Sequence, residues 1–344
     1  MIRSALAFCL MIVAPFSSLN AQSVNPDYGA IIDRSVDDYI LPGFAKLSAA
    51  ASNLHNATRH CGADETPLQA AYHATFDAWL GVSHIRLGPS EEGAVAFAIA
   101  FWPDPKGFTA KSLRKLINAR DPVVETPGAF REVSVASRGF FALERLLFDE
   151  AFADQADGYR CMLAAAITLD LEQLSAAIEA GWRDRFADQL RGNSDPLIFS
   201  DDKEAVRALY STMKTGAEFT MTARLDRPLG SNERPRPKRA EAWRSNRSNR
   251  NIQLSLAGLS QMFEATFAKA LPQGAADLIR AQFDLAQKQA NDLFASLPDE
   301  VSDPLGRGRV ITLRFTIAEL IEQFEGLLRP SLALSLSFNT LDGD

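Results

Sequence analysis

One carboxylate in an otherwise apolar run is the first feature able to do chemistry. It is Glu144, within Arg138-Gly139-Phe140-Phe141-Ala142-Leu143-Glu144-Arg145-Leu146-Leu147-Phe148. The spacing of Val135, Phe140, Leu143 and Leu147 predicts a helix with one face in a core. Glu144 then falls one turn after Phe141, on the same side. With histidine at 141 the run would read Gly-x-His-x-x-Glu, whose His and Glu at i and i+3 can share a metal ion or a proton. Phenylalanine neither ligates nor titrates. A buried Glu144 needs a partner or a raised pKa, and Arg138, Arg145 and Arg86 are the partners expected. A structural ion pair ranks slightly ahead of a metal or substrate role.

The four histidines, His55, His60, His73 and His84, all precede residue 85. His73, Asp77 and His84 share one face of a predicted helix, and imidazole with carboxylate is reasonable metal chemistry. His73 and His84 are more than two turns apart, however, so a solvated or hydrogen-bonded face is the plainer reading. His84 is the more interesting, because Ser83-His84-Ile85-Arg86-Leu87-Gly88-Pro89 ends the helix at an expected cleft. A basic stretch over 224–250 is a separate signal. Arg224, Arg227, Arg234, Arg236, Lys238, Arg239, Arg244, Arg247 and Arg250 face only Asp226, Glu233 and Glu241. Such a concentration binds an anion or docks onto the acidic remainder of the chain, and docking is favoured.

The elements that must position these groups are helices. A stripe from Ile32 to Leu54 predicts a helix over 28–60, kinked or split at Pro42. Thr66 as cap and Pro67 at the first helical position open a second, reaching about Leu87. Phe101-Trp102-Pro103-Asp104-Pro105 reads as an aromatic loop, and Lys111 to Asn118 as a short amphipathic helix. Further helices fit 158–190, 201–225, 251–271, 275–297 and 310–328. The turn-rich Arg191-Gly192-Asn193-Ser194-Asp195-Pro196 is the best domain boundary. The expected fold is all-α, with two up-and-down bundles of about four main helices each, over 22–195 and 196–344. Alternation at Leu332, Leu334, Leu336 and Phe338 suggests an extended C-terminal strap.

With 344 residues, 47% of them hydrophobic, the chain can bury real cores. A net charge of −7 argues against general nucleic-acid or anionic-membrane binding. Arg3, the apolar run Ala5 to Val13 and the small Ala21 predict a signal peptide over 1–21, hence an exported, periplasmic, soluble product. No other stretch is expected to cross a bilayer. Two cysteines then remain, Cys61 and Cys161. In an oxidising compartment they suggest one disulfide, the alternative being two buried thiols. His-Glu-x-x-His, Gly-x-Ser-x-Gly, a phosphate-binding Gly-rich loop and Cys-x-x-Cys-His are all missing from the sequence.

Several pieces in order resemble the imelysin family. They are Ala78-Trp79 through Arg86-Leu87-Gly88-Pro89, Phe101-Trp102-Pro103-Asp104, Gly139 to Leu147, Pro228-Leu229-Gly230, Ala240-Glu241-Ala242-Trp243-Arg244-Ser245 and Phe338 to Asp344. The resemblance implies an exported protein of two helical bundles, often linked to iron uptake. The family's Gly-x-His-x-x-Glu motif maps onto Gly139, Phe141 and Glu144, and its histidine is replaced here. The leading expectation is therefore non-catalytic: an iron species, or a partner from an iron-uptake system, bound in a cleft around Glu144, His84, Arg86, Gly139, Phe141 and Trp102. Glu144 and His84 are the candidate ligands should iron or another divalent metal bind directly. The rivals are a metal-dependent peptidase and a protein-binding module that uses the basic loop.

Overall fold

The computed structural model describes residues 26–152 and 158–334, and within them the chain is helical, with no strand beyond an isolated bridge between Ser231 and Arg234. The expected signal peptide and the strap residues Leu336 and Phe338 lie outside the described residues. Leu332 and Leu334, at the start of that strap, are buried.

The principal helices are α1 (Tyr28–Ser35), α2 (Leu41–Ala57), α3 (Thr66–Val82), α4 (Phe108–Ala119), α5 (Gly139–Phe148) and α6 (Tyr159–Gly181). They are followed by α7 (Asp202–Phe219), α8 (Ser248–Met262), α9 (Gln273–Asn291), α10 (Leu297–Ser302) and α11 (Pro304–Gln323). Side-chain caps fix several starts: Asp27 accepts from the Ala30 amide, Asp201 from Glu204 and Asp303 from Gly306. Thr66 does not act as the expected cap. Its own amide is capped by Asp64, two residues earlier.

Pro42 does not split the first helix. A wide π turn, Val36–Ile40, joins α1 to α2 and places Pro42 in the opening turn of α2. There its missing N–H costs least. Similar π segments extend α6, α7, α8 and α11. The one after α7, Thr220–Asp226, lines the second of the cavities described below through Thr220 and Arg224.

α2 packs on α3 and α6, α5 on α6, α8 on α3 and α9, and α9 on α11. The main core runs from Ile31 to Leu334 and draws on both sides of the 191–196 turn. A smaller cluster gathers Leu225, Ile252, Leu256, Leu297, Val310 and Ile317. The disulfide between Cys61 and Cys161 ties the turn after α2 to α6, with a Cα–Cα distance of 5.6 Å. The segment Tyr159–Leu190 is, against expectation, long and apolar enough by composition to cross a membrane. Its apolar side chains, Leu163, Ile167, Leu171 and Ile178 among them, instead fill the core between α2 and α5.

Candidate functional site

Gly139 sets the position of the central carboxylate. Its φ is +71°, and a Cβ there would lie 2.3 Å from the carbonyl oxygens of both Ala98 and Ile99. Only glycine combines that backbone with that approach. The close contact seats α5 against the segment leading into Trp102. Phe141 then stacks on Trp102, ring centroids 6.2 Å apart, and meets Phe76 edge-on at 5.7 Å.

Glu144 is buried, and none of the three expected arginines pairs with it. Arg138 binds Asp170, Arg145 binds Asp149, and the exposed Arg86 binds the exposed Glu91. The partner is Ser245, whose amide and hydroxyl both donate to Glu144 Oε1 at 3.0 and 2.8 Å. Burial raises the Glu144 pKa, and the two Ser245 hydrogen bonds offset part of that rise.

Ser245 arrives on a largely buried segment, 240–248, whose buried Ala242 and exposed Asn246 both hold left-handed backbone. That segment supplies much of the site's charge. Glu241 takes the buried Arg224 at 2.7 Å and an amide hydrogen of Asn251 at 3.0 Å. Arg247, only 1% exposed, donates to His73 Nδ1 and to Asp77, to which Arg250 also donates. Arg244 shares the Asp149 carboxylate with Arg145, each at 2.7 Å. Much of the basic stretch is thus docked within the molecule, as the sequence favoured. His73 and Asp77 belong to a hydrogen-bonded face, engaged by Arg247 and Arg250.

Two cavities flank the Phe141–Trp102 stack. The first, about 300 Å³, holds Glu144 and is cationic: Arg145, Arg227, Lys238, Arg239 and Arg244 face two carboxylates, Asp104 and Glu144. Burial pushes the Asp104 carboxyl up, but the amides of Thr109 and Phe108 outweigh it and hold the group below its ordinary range. Among the described residues Arg227, Lys238 and Arg239 make no ion pair. Arg227 lies over the Trp102 ring, and its Nε is buried without a hydrogen-bond partner. Burial, then the neighbouring Arg239, lowers its pKa.

The second cavity, about 360 Å³, is mainly apolar and holds His84 and Arg86. His84 sits in the turn after α3, pressed against α7 at Gly216, where a Cβ would come within 2.5 Å of the His84 Cβ. Its Nε2 is 3.1 Å from the Tyr39 hydroxyl. Burial, helped by the Arg224 charge, lowers the His84 pKa to about 3. Phe141 and Trp102 form the wall between the cavities, while Gly139 lines neither and packs on the Ala98 and Ile99 carbonyls. Glu144 and His84 do not converge, since each lines a different cavity with its own partner. Among the described residues no three His, Cys, Asp or Glu side chains cluster to hold a metal ion. The residues present do not fit a directly ligated metal.

The profile of the imelysin family, peptidase family M75, matches residues 40–324. The chain belongs to the imelysin family. Its fold is that of an imelysin-like protein from Psychrobacter arcticum 273-4, with a TM-score of 0.76 at 16% identity over 92% of this chain and 100% of that one. It also matches a protein of Parabacteroides distasonis ATCC 8503 designated an iron-regulated protein A precursor, with a TM-score of 0.73 at 13% identity over 89% and 95% of the two chains. A search of curated proteins finds no match. In this imelysin the motif glycine and glutamate keep clear roles, close packing and a capped carboxylate, while Phe141 turns the histidine position into an aromatic partition.

Sequence reasoning missed Ser245, Asp149 and Tyr39. Each acts on a residue distant in sequence. Ser245 lies in a stretch already singled out for its resemblance to the family, which was the available signal.

Proposed function

We propose that this imelysin is an exported, non-catalytic binding protein that takes iron as an anionic chelate in the cationic cavity beside Glu144. One observation carries the reading: among the described residues Arg227, Lys238 and Arg239 face that cavity without carboxylate partners, while Glu144 Oε1 is already occupied by the amide and hydroxyl of Ser245. Unpaired cations over Trp102 and Trp243 suit a negatively charged, partly flat ligand. A bare metal ion would meet repulsion there. The iron-regulated designation of the Parabacteroides relative supports an iron context. The Cys61–Cys161 disulfide fits an oxidising compartment and so supports export to the periplasm.

Calorimetric titration with ferric citrate, citrate alone and Zn²⁺ tests the reading. Ferric citrate is expected to bind, more weakly as salt rises. Arg227→Ala and Arg239→Ala should each cost about tenfold in affinity, the scale of one lost charge-assisted hydrogen bond. Stoichiometric Zn²⁺ binding lost in Glu144→Gln, with no chelate binding, would overturn the proposal and favour a metallopeptidase. That rival needs a water-activating metal, and the two candidate ligands line separate cavities.

A further inference from the structure

The cavity on the other side of the Phe141–Trp102 wall has a chemistry of its own, fixed by where one proton must sit. The Tyr39 hydroxyl has three neighbours: the Gly81 carbonyl, the Gly258 carbonyl at 2.9 Å and His84 Nε2 at 3.1 Å. α3 and α8 cross closely here, a Cβ on Gly258 coming within 3.0 Å of the Gly81 oxygen, so both carbonyls are held against the phenol. Neither carbonyl can donate. If the phenolic proton went to His84, the phenol oxygen would face two carbonyl oxygens with nothing between them. The proton therefore goes to a carbonyl, and His84 Nε2–H donates to the phenol oxygen.

That assignment leaves His84 Nδ1 as a bare acceptor. The ring is 6% exposed and lines the cavity, and no donor among the described residues reaches Nδ1. The cavity's one deep cation, Arg224, is neutralised by Glu241 through both carboxylate oxygens, so the interior carries no free charge. The walls are Trp79, Phe97, Trp102, Phe141, Phe219 and Leu259. Phe97 and Phe219, 43% and 37% exposed, leave part of this aromatic lining open to solvent. The volume, about 360 Å³, lies in the small-ligand range.

We propose that this second cavity binds a small uncharged aromatic molecule of the phenol class, its rings packed on Trp102 and Phe219 and its hydroxyl donating to His84 Nδ1. The site is independent of the chelate cavity, and the two take ligands of opposite character. A buried acceptor inside aromatic walls rejects an isostere that cannot donate, because the acceptor is then desolvated and unpaired.

Titration calorimetry with 4-methylphenol, 4-methylanisole and benzoate tests the proposal. 4-Methylphenol is expected to bind saturably, about tenfold tighter than 4-methylanisole, which has the same shape without the donor. Benzoate is expected not to bind there. Phe219→Ala, at a partly exposed ring, should weaken 4-methylphenol while leaving the thermal midpoint little changed. In ¹⁵N NMR spectra His84 should show a protonated Nε2 and a bare Nδ1 whose resonance moves on adding 4-methylphenol. Equal binding of the anisole, tighter binding of benzoate, no saturable binding of 4-methylphenol, or a proton on Nδ1 would each overturn it.

Discussion

The cavities on the two faces of the Phe141–Trp102 stack share a wall and differ in almost everything else. On the Glu144 side five cations face two carboxylates, and among the described residues three of the cations have no ion pair. On the His84 side the cation Arg224 is matched by Glu241, and the imidazole is held neutral by burial. The difference shows how a single aromatic residue at a motif position partitions a site. An imidazole at 141 would put a polar, titratable group between the two; a phenyl ring seals them from each other.

The contrast can be broken most severely at Gly139. Gly139→Ala should cost about 3 kcal/mol or more in denaturant unfolding, from left-handed strain plus contact with two backbone oxygens. The wall should lose its register in consequence.

Acid should act next most strongly, through His84. Its folded pKa lies below the ordinary imidazole value, so the unfolded state takes the proton first. The stability it contributes is complete above pH 6.5 and is lost as pH falls towards 3, at a limiting slope of about 1.4 kcal/mol per pH unit. Tyr39, Arg224 and Glu241 are the ionisable groups around it, and burial, which raises the Tyr39 pKa, keeps that phenol neutral across the window. Thermal melts from pH 7 to 4, wild type beside His84→Gln, should separate this contribution.

Phe141→His should restore the motif and dissolve the partition. Replacing a buried ring by imidazole should lower stability by about 2 kcal/mol and weaken 4-methylphenol binding as water enters. Unchanged binding would mean that Phe141 does not separate the cavities.

Glu144→Gln should move stability the other way. The amide oxygen can still accept from Ser245, and no buried charge remains. Because burial raises the Glu144 pKa, the stability tied to its protonation is present at low pH and lost as pH rises through the folded value. The variant should therefore match wild type near pH 4 and exceed it by about 1 kcal/mol at pH 8. Arg86→Ala should do least, within about 0.5 kcal/mol, since the Arg86–Glu91 pair is exposed on both sides.

The α5 helix was legible because its evidence is local: glycine, then an apolar stripe, with one carboxylate in register. The all-α class followed from the same kind of pattern. The partner of Glu144 was not legible, because Ser245 lies 101 residues away and serine has no periodicity that advertises a contact. Arg86, Arg138 and Arg145 were plausible by charge alone, yet each pairs with another carboxylate, Glu91, Asp170 and Asp149 respectively. Of the two outcomes expected at Pro42, a kink or a split, the split did not occur. A proline's missing N–H predicts a break only if the helix cannot widen, and the Val36–Ile40 turn widens it.

By itself, then, the amino-acid sequence determined the helices, the exclusion of histidine from the motif, the cysteine pair and the surplus of cations over 224–250. Those properties depend on residue type and near-neighbour spacing. Tertiary structure alone decided which cations stay unpaired, which cavity receives Glu144 and which His84, and which imidazole nitrogen is left bare. Each depends on groups brought together from distant parts of the chain, where burial strengthens every unmatched charge and every missing hydrogen bond.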